Sequence, residues 1–240
     1  MEKRAIILAA GRGTRMEGLT DAIHKCLLEV DGKKLIERQI ECFLSQDITK
    51  IGIVTGYRKE QLAGYGSHQF YNSHWSGTQM VHSLEQASEW LENFDCLVSY
   101  SDIFYDNNAV AQLMDSKNDI TVLFDPNWRA LWEKRFVDPR DDAESFTISE
   151  TGQILDIGRK GVTFDEIQGQ FMGLFSFTRD GWQKAQEVRS GNSPEYNKKQ
   201  DMTALLQQII RFSDMTVHGL EYQGVWGEVD IPSDLSLYQD

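Results

Sequence analysis

The stretch AIILAAGRGTRMEGLTDAIHKCLLEVDGKKLI, residues 5–36, carries the strongest indications of the fold. It begins with a continuous apolar run over residues 5–9, which is typical of a strand buried on both faces of a sheet. A loop with Gly11 and Gly13 follows, and apolar side chains then recur near helical spacing over residues 34–44. A buried strand, a glycine-containing loop and a helix together indicate the start of an α/β domain.

The same alternation continues along the chain. Residues 51–55, 96–100 and 120–124 are short apolar runs that favour buried strands, and an apolar stripe over residues 78–91 predicts a second helix. Strands that alternate with helices predict an α/β fold with a Rossmann-like, mostly parallel mixed sheet flanked by helices. Ligands bind such sheets beyond the carboxyl ends of the strands, so we expect the functional residues where the strands end.

The pattern changes after Pro126. We expect a hairpin around Thr151 and Gly152, then a strand, a helix and a final pair of strands, over residues 146–157, 170–177, 202–212, 217–221 and 225–230. Neither a repeat nor a low-complexity linker divides the sequence. Residues 1–240 are therefore predicted to form one domain, with residues 126–180 as a small inserted lobe.

Composition excludes several classes of function. The 240 residues include 24 Lys and Arg against 37 Asp and Glu, a net charge of −13, which argues against binding nucleic acid or an anionic membrane. Apolar runs stay short of the roughly 18 residues of a membrane span, and the N-terminal apolar run lacks a signal cleavage pattern. The three cysteines form no CxxC pair, which argues against a zinc site and favours a cytoplasmic location.

The glycine loop matches neither common phosphate-binding motif. The dinucleotide fingerprint has a third glycine where this chain has Met16, and the P-loop has a lysine where it has Leu19. What remains is a loop of small residues whose amides can approach an anion, with the cations Arg15 and Lys25 nearby. An ordinary turn with two surface cations explains the same spacing.

Taken together, LAAGRGTRMEGLT and HKCLLEVDGKKLIERQI resemble the signature of the nucleoside triphosphate transferase family. That family includes sugar-nucleotide pyrophosphorylases and bacterial choline-phosphate cytidylyltransferases. The chain departs from the family pattern at His24, where a proline usually precedes the lysine. Further matches, from VTGYRKEQL to the closing WGEVDIPSDLSLY, extend the resemblance over nearly the whole chain, towards the branch that acts on phosphocholine and phosphonates.

The resemblance implies one Mg²⁺ site. Asp102 and Asp230 match the family's two metal-binding aspartates, and Glu228 is a third candidate two residues before Asp230. Mg²⁺ prefers oxygen ligands, commonly one or two carboxylates with phosphates and water. Many relatives have a second aspartate at the position of Tyr100. Without the resemblance, a turn cap would be the favoured role of each aspartate.

The resemblance also implies the catalytic and nucleotide-binding residues. Arg15, Lys25 and Lys160 are the expected catalytic residues, and a solvated turn lysine is the alternative for Lys160. A phosphate monoester is already largely ionised at pH 7, so the acceptor needs no general base. The expected nucleotide-binding residues are Leu8, Ala10, Gly11, Gly13, Arg15, Lys25, Gly56, Tyr57, Thr78, Gln79 and Ser101.

Aromatic and acidic residues of the predicted lobe suggest an acceptor site. Aromatic faces bind quaternary ammonium groups, although tryptophans of an α/β chain also pack the core. The acidic residues 141–144 could meet an amine or form a solvated loop. The expected acceptor-binding residues are Trp128, Trp132, Glu144, Lys160, Gln170 and Glu228.

These expectations favour an enzyme that transfers CMP from CTP to a small phosphate or phosphonate and releases pyrophosphate. Two alternatives stay open: a sugar-1-phosphate nucleotidyltransferase that uses UTP, dTTP or GTP, and a nucleotide-sensing homologue without turnover. A role in cell-surface polysaccharide biosynthesis is a further expectation from the resemblance. No nucleic-acid or membrane partner is expected, and a homodimer is left open.

Overall fold

The computed structural model describes residues 2–238. Its strands are β1 (Lys3–Ala9), β2 (Glu29–Val30), β3 (Lys33–Lys34), β4 (Ile51–Thr55), β5 (His68–Tyr71), β6 (Asp95–Tyr100), β7 (Ile103–Tyr105), β8 (Ile120–Asp125), β9 (Phe146–Ile148), β10 (Ile154–Ile157), β11 (Gln170–Phe177), β12 (Val217–Glu221) and β13 (Trp226–Glu228). Its helices are α1 (Leu35–Leu44), α2 (Met80–Leu84), α3 (Ser88–Asn93), α4 (Asn107–Asp115), α5 (Trp128–Arg135), α6 (Arg179–Ser190), α7 (Pro194–Lys199), α8 (Met202–Phe212) and α9 (Pro232–Leu237).

A seven-stranded mixed sheet forms the centre of the fold, with the strand order β12-β8-β11-β6-β1-β4-β5. All neighbours pair in parallel except β11, which is antiparallel to both β6 and β8. The predicted mostly parallel mixed sheet is thus confirmed. The last part of the segment 126–180, which was expected to form an inserted lobe, contains β11 in the centre of this sheet.

The apolar run at the start of the chain is buried on both faces, as predicted. Ala5, Ile7 and Ala9 pack in the hydrophobic cluster on one side of the sheet. Ile6 and Leu8 pack in the cluster on the other side. Since successive side chains of a strand point to opposite faces, one uninterrupted apolar run supplies both layers of the core.

Two predicted elements differ from the structure. The helix expected over residues 78–91 is divided at Ala87, whose φ of −99° and ψ of 19° leave the helical region between α2 and α3. The final strands do not pair with each other: β12 joins β8 in the central sheet, whereas β13 forms a separate antiparallel ribbon with β7. The sequence predicted neither that ribbon nor the helices α4, α5 and α6.

The ribbon positions the end of the chain beside the end of β6. Glu228 pairs with Ile103, and the amide of Val229 donates a hydrogen bond to the carbonyl of Asp102 at 2.9 Å. Asp230 was predicted to follow a strand of the parallel sheet. Asp230 follows the β7–β13 ribbon instead, yet it lies at the end of β6, as expected. Over residues 2–238, no helix is both long and apolar enough to cross a membrane.

Candidate active site

Three carboxylates meet where β6 ends. Asp102 lies in the turn between β6 and β7, Glu228 ends β13, and Asp230 follows two residues later. One carboxylate oxygen from each residue lies within 4.8 Å of the others. Asp230 is 3% exposed. The pairing of β7 with β13 therefore brings the two predicted metal ligands together, with Glu228 beside them.

Lys25 reaches into this cluster from the glycine loop. Its Nζ lies 2.8 Å from Asp102 Oδ2 and 2.7 Å from Asp230 Oδ1. Burial by itself would lower the pKa of the ammonium, but the charges and hydrogen bonds of the two carboxylates raise it above its ordinary value. Lys25 is therefore a fixed positive charge at the centre of the site.

His24 holds the loop where the family usually has proline. Its φ of −68° is close to the angle that a proline ring imposes. The backbone amide of His24 donates to Gln61 Oε1 at 2.8 Å, and Nε2 lies 3.0 Å from the carbonyl oxygen of Ala9. The side chain also accepts a hydrogen bond from the amide of Cys26 and so caps the short turn that carries Lys25. The substitution at position 24 thus keeps Lys25 in place.

Gly13 and Arg15 complete the loop around Lys25. Gly13 has a φ of +67°, and a Cβ atom there would lie 2.7 Å from the side chain of Lys25, so the loop needs glycine at this point. Arg15 Nη1 lies 2.5 Å from Asp230 Oδ2 and 3.6 Å from Asp142 Oδ1. Although it is paired with these carboxylates, the Arg15 side chain is 64% exposed and is therefore accessible to an anion from solvent.

Five of the eleven predicted nucleotide-binding residues line a small cavity of about 90 Å³ beside the loop. Its walls are Leu8, Ala10, Gly11, Trp75, Thr78, Gln79, Met80 and Ser83. Gly56 and Tyr57 lie next to this wall but do not line the cavity. The Tyr57 amide donates a hydrogen bond to the Ala10 carbonyl, and the Tyr57 ring packs edge-on against Trp75. Ser101 is buried in the turn before Asp102.

A second cavity of about 200 Å³ adjoins the carboxylate cluster. It brings together the predicted acceptor residues Glu144, Lys160, Gln170 and Glu228, together with Arg15. Lys160 donates to the carbonyl of Asp142, and its Nζ lies 3.4 Å from Glu144 Oε1. Burial raises the pKa of Glu144, and the nearby Lys160 lowers it in part. Tyr100, Asp201 and Trp226 are among the residues of this wall that were not predicted to bind the acceptor.

Trp128 and Trp132 lie in the core, outside the walls of this cavity. They are 3% and 0% exposed. The Trp128 indole donates to the carbonyl of Ile167 at 3.1 Å, and the Trp132 indole donates to Asp142 Oδ2 at 3.0 Å. Their expected role in binding the acceptor is therefore corrected: both pack α5 into the core, and Trp132 also orients Asp142.

Arg135 and Asp234 support the carboxylate cluster from the side of the core. Both side chains are fully buried, and Arg135 Nε and Nη2 donate to the two oxygens of Asp234 at 2.9 and 3.0 Å. Arg135 Nη1 also donates to Glu228 Oε2 at 3.0 Å. Asp234 Oδ2 in turn accepts a hydrogen bond from the amide of Asp230 at 2.8 Å.

The sequence analysis did not predict this support. One signal was available, since Pro232 followed by Asp234 after an apolar strand is typical of a helix start. α9 indeed begins at Pro232. Nothing in the sequence connects Arg135 with Asp234, because 99 residues separate them.

The carboxylate cluster fits a divalent cation such as Mg²⁺. All of its donors are oxygen atoms, the ligands that Mg²⁺ prefers. Asp102 Oδ1 is buried and has no hydrogen-bond partner among the described residues, whereas Oδ2 contacts Lys25. A buried carboxylate oxygen without a partner is unfavourable, so this atom is available as a ligand. Burial and the charge of Asp102 raise the pKa of Glu228 to about 7, although Arg135 opposes the shift.

Comparisons with known proteins agree with this geometry. The family model of the MobA-like NTP transferase domain matches residues 5–152. The CTP:phosphoglutamine cytidylyltransferase of Campylobacter jejuni is 34% identical over 249 residues, which cover 97% of this chain and 98% of that protein. A choline-phosphate cytidylyltransferase of Streptococcus pneumoniae is 39% identical over 94 residues, 38% of this chain and 41% of its own length.

Solved structures share the fold over the whole chain. The inositol-1-phosphate CTP transferase of T. maritima superposes with a TM-score of 0.77 at 19% identity, covering 99% of this chain and 94% of that one. The CTP:phosphocholine cytidylyltransferase of Streptococcus pneumoniae superposes with a TM-score of 0.73 at 22% identity, covering 99% and 97%.

Proposed function

The chain belongs to the MobA-like NTP transferase family, and on that premise we propose that it is a cytidylyltransferase. It transfers CMP from CTP to a small phosphate or phosphonate acceptor and releases pyrophosphate. The observation that carries this proposal is the convergence of Lys25, Asp102 and Asp230 at the end of β6. A cytidylyltransferase that is similar over its full length favours CTP over the sugar-1-phosphate alternative. The retained charged cluster argues against a sensor without turnover.

We propose that the cavity of about 90 Å³ holds the cytosine base. Its walls offer backbone groups near Ala10 and Gly11 and the amide side chain of Gln79, which can hydrogen-bond the edge of a base. The triphosphate then extends over the glycine loop towards Lys25 and Arg15. Both are cations, and Arg15 is exposed enough to move onto a phosphate.

We propose that Asp102 and Asp230 hold Mg²⁺, with Glu228 beside them. The buried Asp102 Oδ1, which lacks a partner within residues 2–238, supports this assignment. When bound, the ion would neutralise charge on the triphosphate and the leaving pyrophosphate. Lys25 lies between the same carboxylates, so its ammonium would keep the site electrically balanced while ligands arrive.

The reaction needs positioning more than acid–base chemistry. An ionised oxygen of the acceptor attacks the α-phosphorus of CTP, a new P–O bond forms, and the bond from the α-phosphorus to the bridging oxygen breaks, so that pyrophosphate leaves with the electron pair. We propose that Lys160 and Arg15 draw the acceptor anion towards the nucleotide, while Lys25 stabilises charge at the α-phosphate. Because the acceptor is already ionised at pH 7, no residue has to remove a proton.

The acceptor cavity favours a substrate that carries an amine as well as an anion. Its wall holds the carboxylates of Asp142, Glu144 and Asp201 besides Glu228, against the two cations Arg15 and Lys160. An acceptor with only negative charge would meet an excess of like charge there. We propose that an ammonium group of the acceptor faces Glu144 and Asp201, while its phosphate or phosphonate faces Lys160.

The experiment is a panel of acceptors. Purified protein is incubated with CTP, Mg²⁺ and phosphoglutamine, phosphocholine, 2-aminoethylphosphonate or glucose 1-phosphate, and pyrophosphate release is measured. We expect turnover with at least one amine-bearing acceptor and little with glucose 1-phosphate. Turnover of glucose 1-phosphate with UTP, without turnover of any amine-bearing acceptor with CTP, would contradict the proposal. Cytoplasmic location, a homodimer and a role in polysaccharide biosynthesis stay predictions.

A further inference from the structure

We propose that the hydroxyl group of Tyr100 donates a hydrogen bond to the phosphate or phosphonate group of the acceptor, which makes Tyr100 a specificity-determining residue. This inference rests on the proposed function and adds a residue to its acceptor site. The sequence analysis noted Tyr100 only because many relatives have an aspartate at its position.

The fold fixes the ring of Tyr100 at the wall of the acceptor cavity. Tyr100 is the last residue of β6, and its ring packs edge-on against Phe171 and Phe175, with centroids 5.8 and 6.2 Å away. The neighbouring strand β11 changes register between these two phenylalanines. At Gly173, which lies within that irregularity, φ is +77° and a Cβ atom would lie 2.5 Å from Tyr100 Cδ2. A bulge and a glycine thus make room for the ring.

The hydroxyl group of Tyr100 has no partner in the part of the chain that the structure describes. The other tyrosine of this region, Tyr105, donates to Ser99 Oγ at 3.1 Å. A phenol is protonated at neutral pH and can donate a hydrogen bond. A hydrogen-bond donor at a cavity wall, without a protein acceptor, is available to a ligand.

The acids around Tyr100 indicate which ligand group it meets. Tyr100 lines the same cavity wall as Glu144 and Asp201, which were assigned to the amine, and it precedes Asp102 of the carboxylate cluster by two residues. The acceptor's phosphate must lie between the α-phosphorus of CTP and the amine. We assign Tyr100 to this intermediate position. A carboxylate there would repel a dianionic acceptor, whereas a neutral phenol attracts it.

The test removes the hydroxyl and keeps the ring. Tyr100→Phe is compared with wild type and with Tyr105→Phe, which loses a buried hydroxyl away from the cavity. The substrate is whichever of phosphoglutamine, phosphocholine and 2-aminoethylphosphonate the wild type uses best. We expect the KM for that acceptor to rise about tenfold or more in Tyr100→Phe. The KM for CTP should stay within about twofold, and thermal unfolding should confirm that the variant is folded.

The possible results distinguish a wrong assignment of Tyr100 from a wrong proposed function. If the wild type is active and Tyr100→Phe has an unchanged KM for the acceptor, the inference is wrong and the proposed function stands. A rise in the KM for CTP alone would assign the hydroxyl to the nucleotide and also overturn the inference. An equal rise in Tyr105→Phe would show a general structural effect, and the inference would again be wrong. A wild type inactive on all three acceptors would contradict the proposed function itself.

Discussion

Lys25 Nζ lies 2.7 Å from Asp230 Oδ1, although 205 residues separate the two in the chain. The contact joins the loop after β1 to the segment between β13 and α9 and places a positive charge between two carboxylates. Removal of one partner from a buried ion pair leaves the other charge uncompensated, which is strongly destabilising. The same contact is therefore expected to matter for both folding and catalysis.

We predict that Lys25→Ala reduces kcat/KM for CTP by about a hundredfold or more, because the α-phosphate loses its nearest fixed cation. Without metal, we also expect a loss of about 3 kcal/mol in the free energy of unfolding, and Mg²⁺ should restore part of it. Steady-state kinetics and urea unfolding measure both effects. Lys33→Ala, which removes a partly exposed lysine, is the control. Normal turnover in Lys25→Ala would show that the lysine is not part of the machinery.

We predict that Arg135→Lys weakens Mg²⁺ binding by about tenfold to a hundredfold, because a lysine cannot hold both oxygens of Asp234 and Glu228 at once. Titration calorimetry with Mg²⁺ measures this without reliance on turnover. Arg129→Lys on the same helix is the matched control, since Arg129 forms an exposed pair with Glu133. Equal Mg²⁺ affinity in both variants would contradict the assigned support of the carboxylates.

We predict that the free energy of unfolding decreases in mild acid because His24 is buried without a charge. Burial lowers the pKa of His24 to about 4, below its ordinary value of 6.5. Between these two values the unfolded chain binds a proton that the folded chain does not, so stability falls as the pH falls through 6.5. We expect His24 to contribute a loss of about 2 kcal/mol between pH 7 and pH 5.

Urea unfolding at the two pH values measures this contribution. His24→Gln should lose less stability than the wild type between pH 7 and pH 5. His68→Gln, which replaces an exposed histidine, should behave like the wild type. The same pH dependence in all three proteins would assign the effect to other groups.

We predict that Trp132→Ala acts on stability and not on the choice of acceptor. The side chain is fully buried, so its removal should reduce the free energy of unfolding by about 3–5 kcal/mol. Because the ring lies outside the cavity wall, the KM values for cationic and neutral acceptors should change by the same factor. Val137→Ala, at a fully exposed position of the same region, is the control. A KM rise confined to trimethylammonium acceptors would show that Trp132 binds the acceptor after all.

The parts of the fold that the sequence predicts are those with a local signal. Residues 5–9 are apolar without interruption and residues 51–55 are mostly apolar, and both segments form central parallel strands. By contrast, a strand was predicted over residues 225–230, which contain β13, but its pairing with β7 was not, because β7 has only three residues and was itself not predicted. Because the ribbon was not predicted, neither periodicity nor composition indicated that Asp230 lies beside Asp102. Only the resemblance to a family predicted that the two residues share a site.

The residues of the candidate site also divide into those that a local sequence pattern predicts and those that it does not. The glycine loop could be predicted because its residues are consecutive and their spacing carries the signal. Trp132 was misplaced because side-chain chemistry alone does not tell which side of a helix faces a cavity. Arg135 and Asp234 could not be predicted, because a buried pair between distant segments leaves no pattern in either segment.

The most direct test of the account follows the phosphorus atoms of CTP. Wild type and Asp230→Asn are incubated with Mg²⁺, the preferred acceptor and CTP labelled at either the α- or the γ-phosphate, and the products are separated. For the wild type, we predict that the α label appears in the acceptor product and the γ label in pyrophosphate. Asp230→Asn should slow both by about a hundredfold or more while it stays folded. Transfer of the γ label to the acceptor, or full activity of Asp230→Asn, would contradict cytidylyl transfer at this site.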